Sequence, residues 1–572
     1  MTEMNWRYRS RTYLMILAMV GALLTAGACN CDDDDDPQPD VGIDDVDIDD
    51  DVTDPGDVTD PDDVTDPDDV TDPDDVTDPD DVTDPDDVTD PGDVTDDDVT
   101  VEPPDIPEGI TRLQVIHDVA DPAAASVDIY FDDALILADF DFRTATPFLD
   151  VDAGSFDVSI APAGSGSVDD ALITFEEATF SEQTRYLIVA SGVLDDTAFV
   201  ANPDGLDTSV SLHVFSNARE ESTDEDADQI VVFHGATDAP AVDLFAQNTI
   251  TVVDDQSYGE FSDGYISLAP GITVFDVLVA ASGDRVASYQ TPPLAGGEAW
   301  VAIASGFLDD DQNADAPFDI VVYPTPVGGD RVDGIVLSQA ARAQVIHDAI
   351  DPALASVDIF IDDARAIEEL GYRTATPFLT LPSGVDLELA VTVAGDADAS
   401  ASPLVRTAEF DAGSSNLVVA SGVLDSTEFP DNPDEADTDV ELYLFAGARE
   451  VGTSSDSVDV LPFHSILDAG AVNLIADADS DEIELAVSLG YGEFGTYTSL
   501  PGDTDAMITI APPTSPEMPL AEFTVDTTSL LGEAATAIAT GIFDTDDGAL
   551  DPPALLLVTA DGTVILLEDD DL

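Results

Sequence analysis

Four of the five histidines in this chain, His117, His234, His347 and His464, stand at one repeated position. Imidazole at a recurring site suggests a general base or a zinc ligand. A zinc ion needs three or four ligands gathered together, whereas each repeat offers a single histidine at this position. The acidic neighbours Asp118 and Asp348 also give way to Gly235 and Ser465 in the intervening repeats. His117 shares parity with Leu113 and Val115, which places its ring on the core side of a strand. There it can hydrogen-bond the turn that follows and hold it in register. Asp128, Asp243 and Asp358, with Asn473 in the fourth copy, read the same way, as strand-edge or turn-bonding residues.

Other chemistry is sparse. Ser191, Ser305 and Ser421 precede glycines at equivalent strand ends, with Thr540 in the fourth copy, but no G-x-S-x-G elbow, phosphate-cradling glycine loop or H-E-x-x-H accompanies them. Trp300 is the only tryptophan after the first segment, which offers little for sugar stacking. The acidic loops 309–315 and 544–548 lack the regular spacing of a calcium loop. The expectation is no catalytic residue, no cofactor and no dedicated metal site, with weak Ca2+ binding the remaining ion chemistry.

The elements that position these residues are repeated. Gln114 to Asp118 (QVIHD) recurs at Gln344 to Asp348, and Arg143 to Leu149 (RTATPFL) recurs at Arg373 to Leu379, both 230 residues later. Val189 to Asp195 (VASGVLD) recurs at Val419 to Asp425 with the same offset. Weaker copies lie between them, such as Val232-Phe233-His234 and Pro462-Phe463-His464. The pattern is A-B-A-B: modules A1 (109–226), B1 (227–336), A2 (337–454) and B2 (455–572). Within A1 the period is two, with Val127, Ile129 and Phe131 alternating with Ser126, Asp128 and Tyr130, as in strands with one apolar and one polar face. Only 364–370 hints at a helical turn. The fold class is therefore all-β: four tandem antiparallel β-sandwich (Ig-like) modules.

The same residues carry a family resemblance. The run Phe233 to Leu244 (FHGATDAPAVDL) resembles the opening signature of the family called domain of unknown function 4397, and Thr144 to Leu149 and Thr374 to Leu379 resemble its second signature. The resemblance covers the four modules and implies secretion and tandem β-modules. It supplies no activity.

The first 108 residues are of another kind. Arg7, Arg9 and Arg11 precede an apolar run, 13–24, and small residues lead to Cys29, one of only two cysteines. This reads as a signal peptide, 1–28, with lipidation at Cys29. Residues 29–108 form an expected disordered acidic stalk in which DVTDP(D/G) repeats seven times between 51 and 92. The whole chain of 572 residues carries 125 acidic and 14 basic side chains, a formal charge of −111, so nucleic acid is excluded as a partner. The expected function is a non-enzymatic bacterial cell-surface lipoprotein. It would be anchored in the envelope, in the outer membrane or at the cell surface, through its N-terminal lipid. Its modules would be structural or adhesive and meet a surface or extracellular ligand. The alternative is an extracellular hydrolase or glycan-binding protein with its site at a module interface.

Overall fold

The computed structural model describes residues 105–569, apart from 249, 310, 326–328, 479–480, 503–504 and 544–550. The leader, Cys29, the stalk up to residue 104 and the loop 544–548 lie outside the described residues, and residue 310 interrupts the loop 309–315. Among the described residues, apart from short 3-10 turns, the regular structure is all strand, in eight sheets that pair into four sandwiches.

Each module opens with a strand that runs through the middle of one sheet. In A1 this strand, Ile110–Val119, pairs parallel with Arg185–Gly192 and antiparallel with Thr144–Ala145 and Leu149–Asp152. The second sheet is Ala134–Asp141, Ser126–Phe131, Gly154–Pro162 and Ile173–Phe180, all antiparallel. The same parallel pair recurs in B1 (Asp228–His234 with Ala299–Ser305), in A2 (Ala341–Ala349 with Ser415–Gly422) and in B2 (Ser457–Ile466 with Ala534–Gly541). The sandwiches are thus mixed in one sheet and antiparallel in the other. A parallel neighbour cannot be told from an antiparallel one by alternation, because both have period two.

Two further expectations change. Ala364–Gly371 is a strand and not a helical turn. It pairs with Ser356–Ile361, and this pairing overrides the helix preference of its Ala, Arg and Glu residues. The opening strand also lacks a solvated polar face. Leu113, Val115 and Val119 enter the core of A1, whereas Ile116 enters a second core with Leu187, Val189, Val231, Phe233, Ile303 and Tyr323. That second core lies between the modules: the front sheets of A1 and B1 stack face to face. A2 and B2 repeat the arrangement through Ile346, Val419, Phe463, Ile538 and Leu556. A strand covered on both faces is buried at every position from Leu113 to Val119.

The segment 332–339, the end of B1 and the start of A2, is stitched into both modules of the first pair. Val332–Asp333 adds to the front sheet of A1, Ile335–Val336 to the front sheet of B1, and Ser338–Gln339 to its back sheet. Scarce arginines mark the next junction. Arg285 of B1 and Arg342 of A2 both reach Glu450, at 2.7 and 3.1 Å.

Candidate functional site

The four repeated histidines hold turns. In A1 the His117 Nε2–H donates to Ala124 O at 2.8 Å, and its Nδ1 accepts from the Val119 N–H at 3.3 Å. His347 bonds Leu354 O and the Ala349 N–H in the same way, and His464 bonds Gly470 O and the Ile466 N–H. His234 Nε2 donates to Pro240 O at 2.9 Å. Burial pushes the His117 and His464 imidazoles down to about 4, so both are neutral at physiological pH.

The repeated carboxylates clamp bulges. Each hairpin that follows the opening strand has a register shift, and one bulge residue adopts a left-handed backbone: Asp139 (φ 49), Asp255 (φ 51), Glu369 (φ 54) and Ser488 (φ 51). The freed N–H of that residue donates to Asp128, Asp243, Asp358 or Asn473, at 2.8–2.9 Å. One acceptor oxygen suffices, which is why asparagine serves in B2. Burial would raise the Asp128 carboxyl, but the Asp139 N–H and the Ser165 hydroxyl and N–H outweigh it and hold it below the usual range.

The residues that converge are those the sequence showed as separate oddities. Asp118 lies one residue beyond His117 and faces the opposite way, into the stack between A1 and B1. It is 1% exposed. Ser191 of A1 donates to it at 3.2 Å and Ser305 of B1 at 2.5 Å. Gly235 faces it from B1, and a Cβ there would overlap Asp118 Oδ2. Arg143 closes the cluster, donating from Nε to Ser305 Oγ at 3.1 Å and pairing with Asp319 at 3.0 Å. Arg143 itself takes a left-handed φ of 59°, and its N–H bonds His117 O. Burial pushes the Asp118 carboxyl up to about 7, while Ser305, Arg143 and Ser191 pull the other way.

The second pair builds the same cluster with different residues. Asp348, 1% exposed, accepts from Ser421 at 3.3 Å, Ser465 at 2.5 Å and Thr540 at 2.6 Å. Burial pushes its carboxyl up to about 6, opposed by Ser465, Thr540, Arg373 and Ser421. The strand-end hydroxyls Ser191, Ser305, Ser421 and Thr540 are therefore partners of two carboxylates. The matched exchange of Asp118 with Gly235 and of Asp348 with Ser465 was the signal for it. No group of three or more potential metal ligands occurs among the described residues. Among them, too, no helix is long and apolar enough to cross a membrane.

These features define a tandem β-sandwich protein whose modules are locked in face-to-face pairs. Residues 111–218, within the first module, match the family described as Domain of unknown function (DUF4397), the family that the histidine and Thr-Pro-Phe signatures resemble. No curated protein matches the chain. Among solved structures, the Bacillus anthracis TIE protein is similar at 10% identity, covering 72% of this chain and 75% of that one, with a TM-score of 0.11. A multi-modular glycogen-degrading pneumococcal virulence factor, SpuA, is similar at 11% identity over 70% of this chain and 36% of that one, with a TM-score of 0.12. Neither of these two likenesses carries an argument about fold or function.

Proposed function

We propose that this chain is a non-enzymatic bacterial cell-surface lipoprotein. Cys29 carries the lipid, the acidic segment 29–108 is a spacer, and the paired modules are rigid structural or adhesive units that meet a surface or extracellular ligand. One observation supports this reading above the rest. The repeated residues able to do chemistry face internal partners: the histidines turn carbonyls, the first aspartate set bulge N–H groups, and Asp118 and Asp348 the hydroxyls of a partner module. A carboxylate and a serine buried to about 1% between two stacked sheets hold those sheets together, and a substrate does not reach them. Stacked pairs, the first of them stitched by 332–339, suit a stiff arm that presents its outer faces.

The test is metabolic labelling in a bacterial host that processes lipoproteins. Radiolabelled palmitate should enter the wild-type protein and vanish in Cys29→Ala, with the protein released from the membrane fraction. Labelling that persists in the variant overturns the anchor. Turnover of ester or polysaccharide substrates by the purified full chain overturns the non-enzymatic reading.

A further inference from the structure

B1 and B2 descend from one repeat, yet their cores are filled differently. In B2 the inward residues Leu474, Ile508, Ile510 and Leu555 are all 0% exposed. In B1 the matching sandwich contains a partly open cavity of about 70 Å3, lined by Leu244, Val277 and Val322 among others. That is several times the space one water needs. Strand register identifies the cause. Val277 pairs with Leu244, where B2 has Ile510 paired with Leu474. Val322 pairs with Ala302, where B2 has Leu557 paired with Ala537. Gln256 pairs with Val242, whereas the corresponding residue is Phe140 in A1, Leu370 in A2 and Leu489 in B2. Two missing methylenes and an amide in place of a hydrocarbon side chain leave the space open.

Thr273 and Thr291, which also line the cavity, bond each other, whereas another corner holds polar atoms left without partners among the described residues. Gln256 and His234 both line it, and both hang on one carbonyl: the Gln256 amide and the His234 N–H each donate to Glu260 O, at 2.7 and 3.0 Å. Gln256 Nε2 also donates to Val232 O, so two carbonyls fix which end of the amide is nitrogen. Gln256 Oε1 is left buried and without a partner among the described residues, and so is His234 Nδ1. In the other three modules the equivalent histidine Nδ1 accepts a backbone N–H. Because His234 Nε2 carries the proton it gives to Pro240 O, its Nδ1 is an acceptor. A buried acceptor without a donor is costly, and a ligand hydroxyl would relieve that cost.

We propose that the B1 sandwich is a binding site for a small neutral molecule with an apolar body and one hydroxyl, of the size and kind of a simple phenol. The hydroxyl donates to Gln256 Oε1, and the body fills the space beside Val277 and Val322. Among the described residues no Asp, Glu or Arg lines the cavity, and a chain of formal charge −111 repels anions, so a fatty acid or other carboxylate is disfavoured.

The test uses the full chain with 4-methylphenol and toluene, which differ by the hydroxyl, followed by calorimetry or ligand-observed NMR. Saturable binding is expected, with 4-methylphenol at least about tenfold tighter than toluene, the factor one satisfied hydrogen bond gives. Gln256→Leu, which installs the B2 residue, should erase that preference. Val277→Ile combined with Val322→Leu, also B2 residues, should abolish binding of both probes while the melting temperature holds or rises. No saturable binding by the folded wild type would overturn the proposal. So would equal affinity for the two probes, or binding that survives in the filled variant.

Discussion

The A1–B1 and A2–B2 stacks are built from equivalent strands, yet they shelter their buried carboxylates differently. Asp118 has two hydroxyl donors and meets a bare glycine, whereas Asp348 has three hydroxyl donors, one of them from the residue that replaces that glycine. Burial is similar on the two sides, and the carboxyl sits at about 7 in the first and about 6 in the second. Each hydroxyl that donates to the ionised form offsets part of the desolvation penalty. The two pairs are thus alternative solutions to one problem: making room for an acid in a dry interface, or solvating it with the neighbour's side chain.

The largest effect expected is in pH dependence. Unfolded, each aspartate titrates near 3.8, and folded, near 7 or 6. Between those values the folded state keeps a proton that the unfolded state has lost. The stability this contributes is full below about pH 4 and disappears as pH rises through the folded value. At about 1.4 kcal/mol per unit, the span is on the order of 4 kcal/mol for Asp118 and 3 kcal/mol for Asp348. Asp118→Asn and Asp348→Asn each remove one such dependence. Relative to wild type, the first should gain in denaturant stability from pH 4 to 7 and the second should level off about one unit earlier. Parallel, flat difference curves would show that neither acid is held as described.

A steric test comes next. Gly235→Val should cost about 3 kcal/mol by forcing the front sheets of A1 and B1 apart at Asp118 and crowding the Ala304 carbonyl within B1. Separate melting of the first pair, with A2–B2 unchanged, is the calorimetric signature. An unaltered transition would mean the glycine is incidental.

Ser465→Ala should have the smallest effect, about 2 kcal/mol, the loss of one hydrogen bond to a charged group. It should also move the Asp348 titration upward, towards that of Asp118, which carboxyl NMR can follow. A midpoint that stays in place would break the link between donor number and acidity.

Part of the site was legible residue by residue. The turn-holding role of the histidines followed from parity with Leu113 and Val115; Asp128 read only as a strand-edge or turn-bonding residue, and the bulge it clamps emerged from the structure. The convergence of Asp118 with Ser191 and Ser305 was not legible, because Ser305 lies 187 residues away on another module. The cavity in B1 was likewise hidden. A valine in place of isoleucine or leucine is unremarkable in a strand, and only its facing partners reveal that volume is missing.

The sequence alone determined the duplication at an offset of 230, the β class and the acidic N-terminal segment, because repetition, period two and composition are properties of a linear string. Only the tertiary structure decided that the opening strands lie parallel to their neighbours, that modules stack front to front, and that an aspartate, two hydroxyls and a glycine form one unit. Alternation specifies that a strand has a face to bury. What covers the opposite face depends on a separate module brought there by folding, and no local pattern encodes that arrival.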